Sequence, residues 1–373
     1  MTIAISGTTG ITLDGQFNSA SSMGFKNRLI NSAMVIDQRN AGASVTNVSG
    51  AIYTVDRFYA LGSQASKFTA QQNAGNLTGS NLPTGFINYL GATSSSAYSL
   101  LAGDYFTLGQ AIEGLNVADL EWGTARAATI TLSFWVRSSL TGTFGGNLRN
   151  NAGDRNYPFT YTISSANTWE QKSIIVAGDT SGTWLKTNAI GINVGFGLGV
   201  GSTFSGTAGA WSGNNYLGAT GATSVVGTNN ATFYITGVQL EKGSTATSFD
   251  YRPYGTELAL CQRYAFKRLA DGSVNNYAPF GIGRYYTTTA VQLYVPFPVT
   301  MRTSPSSITV GGTIFVNDSG FGGADLTSPV LNESSCDGAT ITGGTTSVGV
   351  AGNATTFYAS NTSVASILFS AEL

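Results

Sequence analysis

Short runs of alternating or continuous apolar residues recur along most of the chain, and they predict strands. Clusters of Gly, Asn, Ser and Asp separate the runs, as is typical of the turns in an all-β sandwich. The runs before residue 252 are AIYTVDRFYAL, DYFTLGQAIEG, ATITLSFWVRSS, YPFTYTIS, WEQKSIIVAG, GINVGFGLGV and TFYITGVQLEKG. We therefore expect a β-sandwich domain over residues 31–252.

The run ATITLSFWVRSS has the clearest strand pattern. Its apolar positions Ile130, Leu132, Phe134 and Val136 alternate with mostly polar ones, so one face of the strand is wholly apolar. Trp135 falls on the opposite face. We expect its ring to be buried as well, because a strand with large apolar groups on both faces is usually covered on both.

A break in phase marks the run TFYITGVQLEKG. The apolar face formed by Phe233 and Ile235 stops at Gly237, after which Val238 and Leu240 take over the alternation. A glycine at a change of phase indicates one extra residue in the strand. The pattern predicts a β-bulge at Gly237.

The segment TELALCQRYAFKRLA is one of the few with helical spacing. Leu258, Cys261 and Tyr264 or its neighbour recur on one side, with Thr256 placed to cap the N-terminus. Pro253 and Gly255 end the preceding strand pattern. The spacing predicts a linker helix over 253–270.

The flanking regions differ from the sandwich. Residues 1–30 contain short apolar stretches that are too few for a core, which favours an attachment arm. After residue 270 the β pattern resumes in GIGRYYTTTAVQLYVPFPVTM, GTIFVN and SVASILFSAEL. We predict a small C-terminal β domain over 271–373.

Apolar groups on both sides of the linker helix imply two packing partners. These partners are either two domains of one chain or neighbouring copies about a symmetry axis. We favour the second arrangement, because a helix of about 20 Å is suited to gathering subunits. Leu258, Cys261 and Tyr264 are therefore predicted to form an oligomer interface.

The composition excludes several classes of function. Only 10% of residues are charged, and the net charge is −1, so binding of nucleic acid through phosphate neutralisation is not expected. The chain has no histidine, and Cys261 and Cys336 have no metal-ligand spacing. We therefore expect neither a catalytic triad nor a metal or other cofactor.

The sequence shows no feature of membrane insertion or secretion. No window approaches about eighteen consecutive apolar residues, so no membrane-spanning helix is expected. The N-terminal MTIAISGTTGITLDG lacks both a basic region and a continuous apolar region. Synthesis in the cytoplasm is the expectation.

Acidic residues concentrate within DYFTLGQAIEGLNVADLEWG. A glycosidase would need two carboxylates at roughly 5 to 10 Å, and this segment supplies Asp104, Glu113, Asp119 and Glu121. We expect these residues to serve turns and ion pairs rather than catalysis, because turns and ion pairs are the common uses of such residues. No catalytic residue is assigned.

Three aromatic residues lie in segments of small residues that show no strand period. They are Trp184 in TSGTWLKTN, and Trp211 and Tyr216 in GTAGAWSGNNYLGATG. Exposed rings on loops can stack on the faces of sugars, while nearby Asn or Asp side chains bind hydroxyl groups. The three residues are the predicted ligand-binding set, although loop aromatics also pack over their own loops.

Several long strings resemble a repeated segment of bacteriophage virion proteins, chiefly tail fibre and receptor-binding proteins. The resemblance spans about Asn27 to Arg268. The strings are NRLINSAMVIDQRNAGASVT, YTVDRFYA, QAIEGLNVADLEWGTARAATITLSFWVRSSLTGTF, YPFTYTISSANTWEQKSIIVAGDTSGTW and TFYITGVQLEKGSTATSFDYRPYGTELALCQRYAFK. The string AVQLYVPFPVTMRTSPSSITV also resembles the C-terminal heads of such fibres.

The resemblance implies a jelly-roll similar to carbohydrate-binding modules, then a helix and a small C-terminal β domain. It also implies a homotrimer, with the helix as its neck, that resides in the virion and contacts other tail or capsid proteins. A host-surface polysaccharide is the implied ligand. No catalytic residue carries over from the family pattern.

Three hypotheses of function follow. The leading one is a non-enzymatic tail fibre or adhesin that binds host glycan. The second is a decoration or connector protein of the virion without a host ligand, in which the loop aromatics would be buried. The third is a glycan depolymerase, against which the absence of a repeated parallel β-helix pattern weighs.

Overall fold

The computed structural model describes residues 3–6, 10–13, 25–46, 48–271, 278–318, 322–346, 349–360 and 364–373. The N-terminal hairpin pairs β1 (Ile3–Ser6) with β2 (Gly10–Leu13). The rest of the predicted arm up to residue 24 lies outside the described residues.

The sandwich strands run from residue 50 to residue 242. Three short 3-10 turns, Gly79–Asn81, Gly114–Asn116 and Ala118–Leu120, lie between them. The strands are β3 (Gly50–Tyr53), β4 (Phe58–Gly62), β5 (Phe68–Gln72), β6 (Leu90–Ser94), β7 (Tyr105–Glu113), β8 (Ile130–Ser138), β9 (Gly142–Arg149), β10 (Asn156–Ile163), β11 (Glu170–Val176), β12 (Ile190–Val200), β13 (Ser205–Gly206), β14 (Gly218–Ala219) and β15 (Thr232–Lys242).

Two facing sheets form this domain. A six-stranded sheet has the order β10-β9-β12-β7-β4-β3, and a five-stranded sheet has the order β11-β8-β15-β6-β5. The chain passes repeatedly from one sheet to the other, which is the connectivity of a jelly-roll. The prediction of an all-β jelly-roll sandwich, followed by a helix and a small β domain, is confirmed.

The apolar faces of the strands meet between the sheets. On β8 the alternating residues Ile130, Leu132, Phe134 and Val136 are fully buried in this core. Trp135, on the opposite face, is only partly buried. The burial expected for this residue is therefore present only in part.

The predicted bulge is present in β15. Its register against β8 shifts between Thr236 and Gln239, and Gly237 has a φ of 59°. A Cβ on this glycine would come within 2.5 Å of the Phe86 ring. Both the conformation and the lack of space require glycine here.

The sandwich begins earlier in the chain than predicted. Leu29 is fully buried in the sandwich core, and the Arg28 N–H donates to the Leu240 carbonyl at 2.9 Å. The Asn27 side chain also bonds to the β15 backbone. Residues 27–30 therefore pack on the sandwich and not in a separate arm.

The linker contains a shorter helix than predicted. Helix α1 spans Tyr254–Gln262 after Pro253, so Thr256 lies inside it and is not its cap. The chain then enters β16 (Ala265–Asp271), which pairs over seven positions with the last strand of the protein. This distant pairing overrides the local helical spacing of residues 263–270.

The C-terminal domain contains two more sheets. One has the order β16-β25-β19 and the other the order β21-β20-β24-β17-β18-β23-β22. Their remaining strands are β17 (Pro279–Tyr285), β18 (Ala290–Pro296), β19 (Ile308–Gly311), β20 (Ile314–Asp318), β21 (Gly322–Asp325), β22 (Thr327–Ser334), β23 (Gly338–Gly344), β24 (Ala354–Ala359) and β25 (Val364–Ser370). An apolar core of its own lies between these sheets.

Candidate functional site

Two of the predicted loop aromatics belong to a cluster of three tryptophans. Trp184 and Trp211 pack edge to face against Trp122, with ring centroids 4.7 and 5.2 Å away, and against each other at 5.5 Å. The Trp184 residue is only 7% exposed. The expectation of an exposed ring is wrong for Trp184, because residues distant in sequence cover it.

The indole N–H groups of Trp184 and Trp211 also form hydrogen bonds. The indole N–H of Trp184 donates to Asp179 and to the Ser181 carbonyl, and that of Trp211 donates to the Ala177 carbonyl at 2.8 Å. These bonds stabilise the loops at one end of the sandwich. Trp211 remains partly exposed, so a ligand contact at its rim stays a prediction.

Tyr216 is partly exposed and lies over Gly206, where a Cβ would meet its ring. Its hydroxyl accepts a hydrogen bond from the Asn214 side chain at 3.0 Å. The structure does not bring Tyr216 into the tryptophan cluster. A ligand role for Tyr216 also stays a prediction.

The four acidic residues singled out from the sequence have structural partners. Glu113 accepts from Arg263 and from the Tyr264 hydroxyl, and Asp119 pairs with Arg28. Glu121 pairs with Arg126, whose hydrogen bonds lower the pKa of Glu121. These contacts favour ion-pair and turn roles.

Asp104 is the fourth acidic residue, and its carboxylate is surrounded by donors. Burial would raise its pKa, but hydrogen bonds from the Leu101 N–H, Tyr98, Ser63 and Gln64 outweigh burial and lower it. A general acid requires the opposite shift.

The predicted interface residues of the helix are mostly hidden inside one chain. Cys261 and Tyr264 are fully buried in a small cluster with Ile30 and Ile36, and Leu258 packs against that cluster while partly exposed. Cys261 and Tyr264 therefore join the two domains of one chain and do not face a neighbouring copy. They are buried because residues 30–36, which are distant in sequence, pack against them.

Trp135 is a partly buried aromatic residue on the outer face of the five-stranded sheet. Within the described part of the chain, its ring contacts no other ring, and its indole N–H donates no hydrogen bond. It stands on the outer face of β8, directly across from Gln171 of β11 and Thr236 of β15. The bulge in β15 begins immediately after Thr236.

A polar groove of about 400 Å³ lies on the same sheet face as Trp135, and one of its lining residues, Gln171, is paired with Trp135. The exposed side chains of Gln171 and Ser173 form one side, and the loop that follows β15 forms the other. The groove is lined by Gln171, Lys172, Ser173, Ala246, Thr247 and Ser248. We call this set, together with Trp135, the Trp135 groove.

The charged groups near the Trp135 groove have polar partners: Lys26 donates to the Thr247 hydroxyl and Arg137 to the Asn167 carbonyl. Lys172 donates to Glu170 at 2.6 Å. The buried Glu241 accepts from the Thr247 hydroxyl at 2.6 Å and from Gln239 at 2.9 Å. The Trp135 groove therefore places amides and hydroxyls near an aromatic ring, with the Lys26 ammonium bonded to the Thr247 hydroxyl.

A separate cavity of about 100 Å³ lies where residues 27–35 meet residues 249–257. Its polar groups bond to one another: Arg252 donates to Glu257 and to the carbonyl of Leu29, and Glu257 accepts from the Asn31 N–H. This arrangement fixes the start of helix α1. We assign the cavity to packing at the domain junction.

Two further features bear on possible sites. No three Asp, Glu or Cys side chains gather to hold a metal ion within the residues that the structure describes. Across the same residues, no helix is both long and apolar enough to cross a membrane.

Comparison with known proteins gives only distant similarity. No protein-family model and no curated protein matches the sequence. A putative sugar-binding protein from Bacteroides thetaiotaomicron is 11% identical, with a TM-score of 0.31, over 58% of this chain and 100% of that one. A family 11 carbohydrate-binding module from Clostridium thermocellum is 12% identical, with a TM-score of 0.27, over 54% and 96%.

The enzymatically active domain of tailspike protein 4 from bacteriophage CBA120 is also similar. It is 12% identical, with a TM-score of 0.30, over 58% of this chain, and the chain spans 22% of its length. At these scores the similarities do not establish a shared function.

Proposed function

We propose that this protein is a non-enzymatic glycan-binding component of a bacteriophage particle, a tail fibre or adhesin that binds host-surface polysaccharide. The observation that carries the proposal is the Trp135 groove. The groove is lined mainly by polar side chains, and its Gln171 is paired with the partly exposed Trp135, whose ring has no ring partner among the described residues.

The chemistry of the groove suits a sugar. One face of a pyranose ring consists of C–H groups, which stack on an indole, while its hydroxyls need donors and acceptors at the rim. Gln171 supplies both a donor and an acceptor, and the exposed Ser173 hydroxyl supplies more.

The virion role and the homotrimer rest on the sequence resemblance to tail fibre proteins. The weak affinity expected of one shallow site would be compensated by several copies on one particle. Of the predicted neck residues, Leu258 keeps an exposed portion that a neighbouring copy could contact.

The test is binding of the full-length protein to purified surface polysaccharides of candidate host bacteria, followed by measurement of polysaccharide length. We expect saturable binding, unchanged length, and a loss of affinity of about tenfold or more in Trp135→Ala, because base or sugar stacking on an aromatic ring contributes of order 1–3 kcal/mol. The matched control is Tyr286→Ala, an exposed ring in the C-terminal domain.

The other outcomes separate the alternatives. Shortened polysaccharide chains would indicate a depolymerase. Absence of binding across a broad panel would favour a decoration or connector protein. Equal loss in Trp135→Ala and Tyr286→Ala would contradict the assignment of the groove.

A further inference from the structure

The outer face of the seven-stranded sheet carries exposed apolar residues. Ile282 on β17, Tyr294 on β18 and Val330 on β22 are 70, 58 and 53% exposed. Gly283 is paired with Leu293, so Ile282 and Tyr294, each one residue beyond that pair, lie across from each other. The opposite face of these strands packs into the core of the C-terminal domain. This sheet therefore has apolar side chains on both faces, and the outer ones lie in solvent.

The outer face is level, because its largest side chain lies low on the sheet. A Cβ on Gly338 of β23 would collide with the Tyr294 hydroxyl and with two carbons of its ring, so the ring crosses from β18 over the next strand. The partly exposed Thr340 and Thr342 lie on the same face, since they are paired with Tyr294 and Gln292. A level face of this kind suits packing against another protein surface at about 10 Å.

Two opposite charges stand on this face without a charged partner. The Arg284 guanidinium donates through Nε and Nη2 to Gln292 Oε1 at 3.1 and 3.0 Å. Glu333, paired with Thr340, is exposed, as is Arg284. Among the described residues, neither charge has an opposite charge within 4.0 Å. The face therefore presents one cation and one anion that are both open to a partner.

The C-terminal domain has few cations to offer Glu333. After residue 278 the sequence contains two basic residues, Arg284 and Arg302. The Arg302 guanidinium already donates to three backbone carbonyls at 2.7 to 2.9 Å. Arg284 and Glu333 lie on β17 and β22, which are three strands apart, or about 14 Å across the sheet. Within this domain, the group suited to Glu333 is therefore the Arg284 guanidinium of another copy.

We infer that this face, formed by Ile282, Arg284, Tyr294, Val330 and Glu333, packs against a second copy of the chain. We call this set the Ile282 face. In a ring of copies that turn this face towards the symmetry axis, the β17 side of each copy meets the β22 side of the next. Arg284 of one copy then lies beside Glu333 of the neighbouring copy. The inference rests on the homotrimer in the proposed function and names the surface where its copies meet.

The composition of the Ile282 face favours a protein partner over a glycan. The side chains of Ile282 and Val330 have no flat π face for a sugar ring to stack on. Exposed apolar residues surrounded by polar ones are typical of contacts between proteins. The opposite charges of Arg284 and Glu333 make the face complementary to itself, which favours an identical chain as the partner.

The test measures the mass of the full-length protein by light scattering over a dilution series. The wild type should have the mass of three chains. Ile282→Asp should weaken association at least about tenfold, because it places an unpaired charge in the contact. Its matched control is Ile87→Asp, which changes a 73% exposed isoleucine of the sandwich domain and should keep the wild-type mass.

A charge exchange separates lost contacts from misfolding. Arg284→Glu and Glu333→Arg should each weaken association by about tenfold or more, because like charges would then meet between copies. The double variant Arg284→Glu/Glu333→Arg should associate again, since it restores opposite charges with their positions exchanged. Misfolding in the single variants would not be repaired by combining them.

The remaining outcomes distinguish this inference from the proposed function. A wild-type trimer that persists in Ile282→Asp and in both single charge variants would overturn the inference and leave the homotrimer intact. Loss in the single variants without recovery in the double variant would also overturn it. A wild-type monomer at every concentration would contradict both the inference and the homotrimer, while polysaccharide binding at the Trp135 groove is measured separately.

Discussion

A side chain on the outer face of a sheet is covered only where a neighbouring segment crosses it. In the five-stranded sheet, the loop after β15 covers Glu241 through Thr247, and the residues before β6 cover Thr236 through the Asn88 carbonyl. Trp135 lies between the loop after β15 and the residues before β6. Its ring is therefore left partly in solvent although it stands in the middle of the domain.

Asp56, near the domain junction, has a carboxyl group that is buried instead of exposed. Burial raises the pKa of Asp56 to about 7, although hydrogen bonds from the Gln38 side chain and N–H, together with Arg39, oppose the shift. The folded protein thus holds this proton more tightly than the unfolded chain, whose reference pKa is 3.8. Stability from this group is complete below pH 3.8 and is lost as pH rises through 7.

Asp56→Asn should remove this pH dependence, because asparagine is neutral at every pH. Urea unfolding between pH 4 and pH 8 should show the wild type losing stability relative to the variant, by at most on the order of 4 kcal/mol. The difference between the two proteins isolates Asp56 from the other carboxylates. Parallel curves for wild type and variant would show that Asp56 is ionised in the folded protein at pH 4.

At the scale of elements, the bulge in β15 sits next to the residue that pairs with Trp135. One extra residue increases the local twist of a strand and changes the direction of neighbouring side chains. The bulge requires glycine at position 237, because a φ of 59° and the nearby Phe86 ring both exclude a side chain there.

Gly237→Ala should lower the free energy of unfolding by about 1–3 kcal/mol, because the methyl group is strained in this conformation and collides with Phe86. Gly255→Ala is the control: it lies exposed in the first turn of helix α1, with nothing within 4 Å of a Cβ. It should be neutral or stabilising by up to about 1 kcal/mol. Thermal unfolding of both variants gives the comparison, and equal stability would contradict this account of the bulge.

The elements that were predictable from the sequence are those whose pattern is local. The alternation in β8 and the change of phase at Gly237 can each be seen within a dozen residues of sequence. The end of helix α1 could not be predicted in this way, because the strand after it pairs with Val364–Ser370, about a hundred residues away. The same holds for Trp184, which is buried by Trp122 and Trp211 from other loops.

Trp135 and a polar row on the opposite sheet differ in how far the sequence reveals them. Trp135 was visible as a large ring on the polar face of a strand, and only the placement of loops decided that it stays partly exposed. The row of Asn156, Arg149 and Asn193 gave no sequence signal, since these residues come together only through the pairing of three strands. Register across strands cannot be read from single runs.

At the scale of the whole molecule, the last residues of the chain connect the two domains. Glu372 pairs with the fully buried Arg57 and with Arg39, and the Tyr53 hydroxyl donates to the Leu373 carbonyl at 3.0 Å. The Arg57 guanidinium lies 3.5 Å from the centre of the Tyr264 ring. Buried charges paired in this way are costly to separate, so the C-terminal domain is held firmly against the sandwich.

Hydroxyl-radical footprinting of the tryptophans, with and without a host polysaccharide that the protein binds, tests the central claim most directly. Trp135 and Trp211 are both partly exposed, so both should be oxidised in the free protein. We expect bound polysaccharide to protect Trp135; protection of Trp211 alone would instead place the ligand at the loop aromatics predicted from the sequence. Undiminished oxidation of Trp135 in the saturated complex would show that the Trp135 groove is not the glycan site.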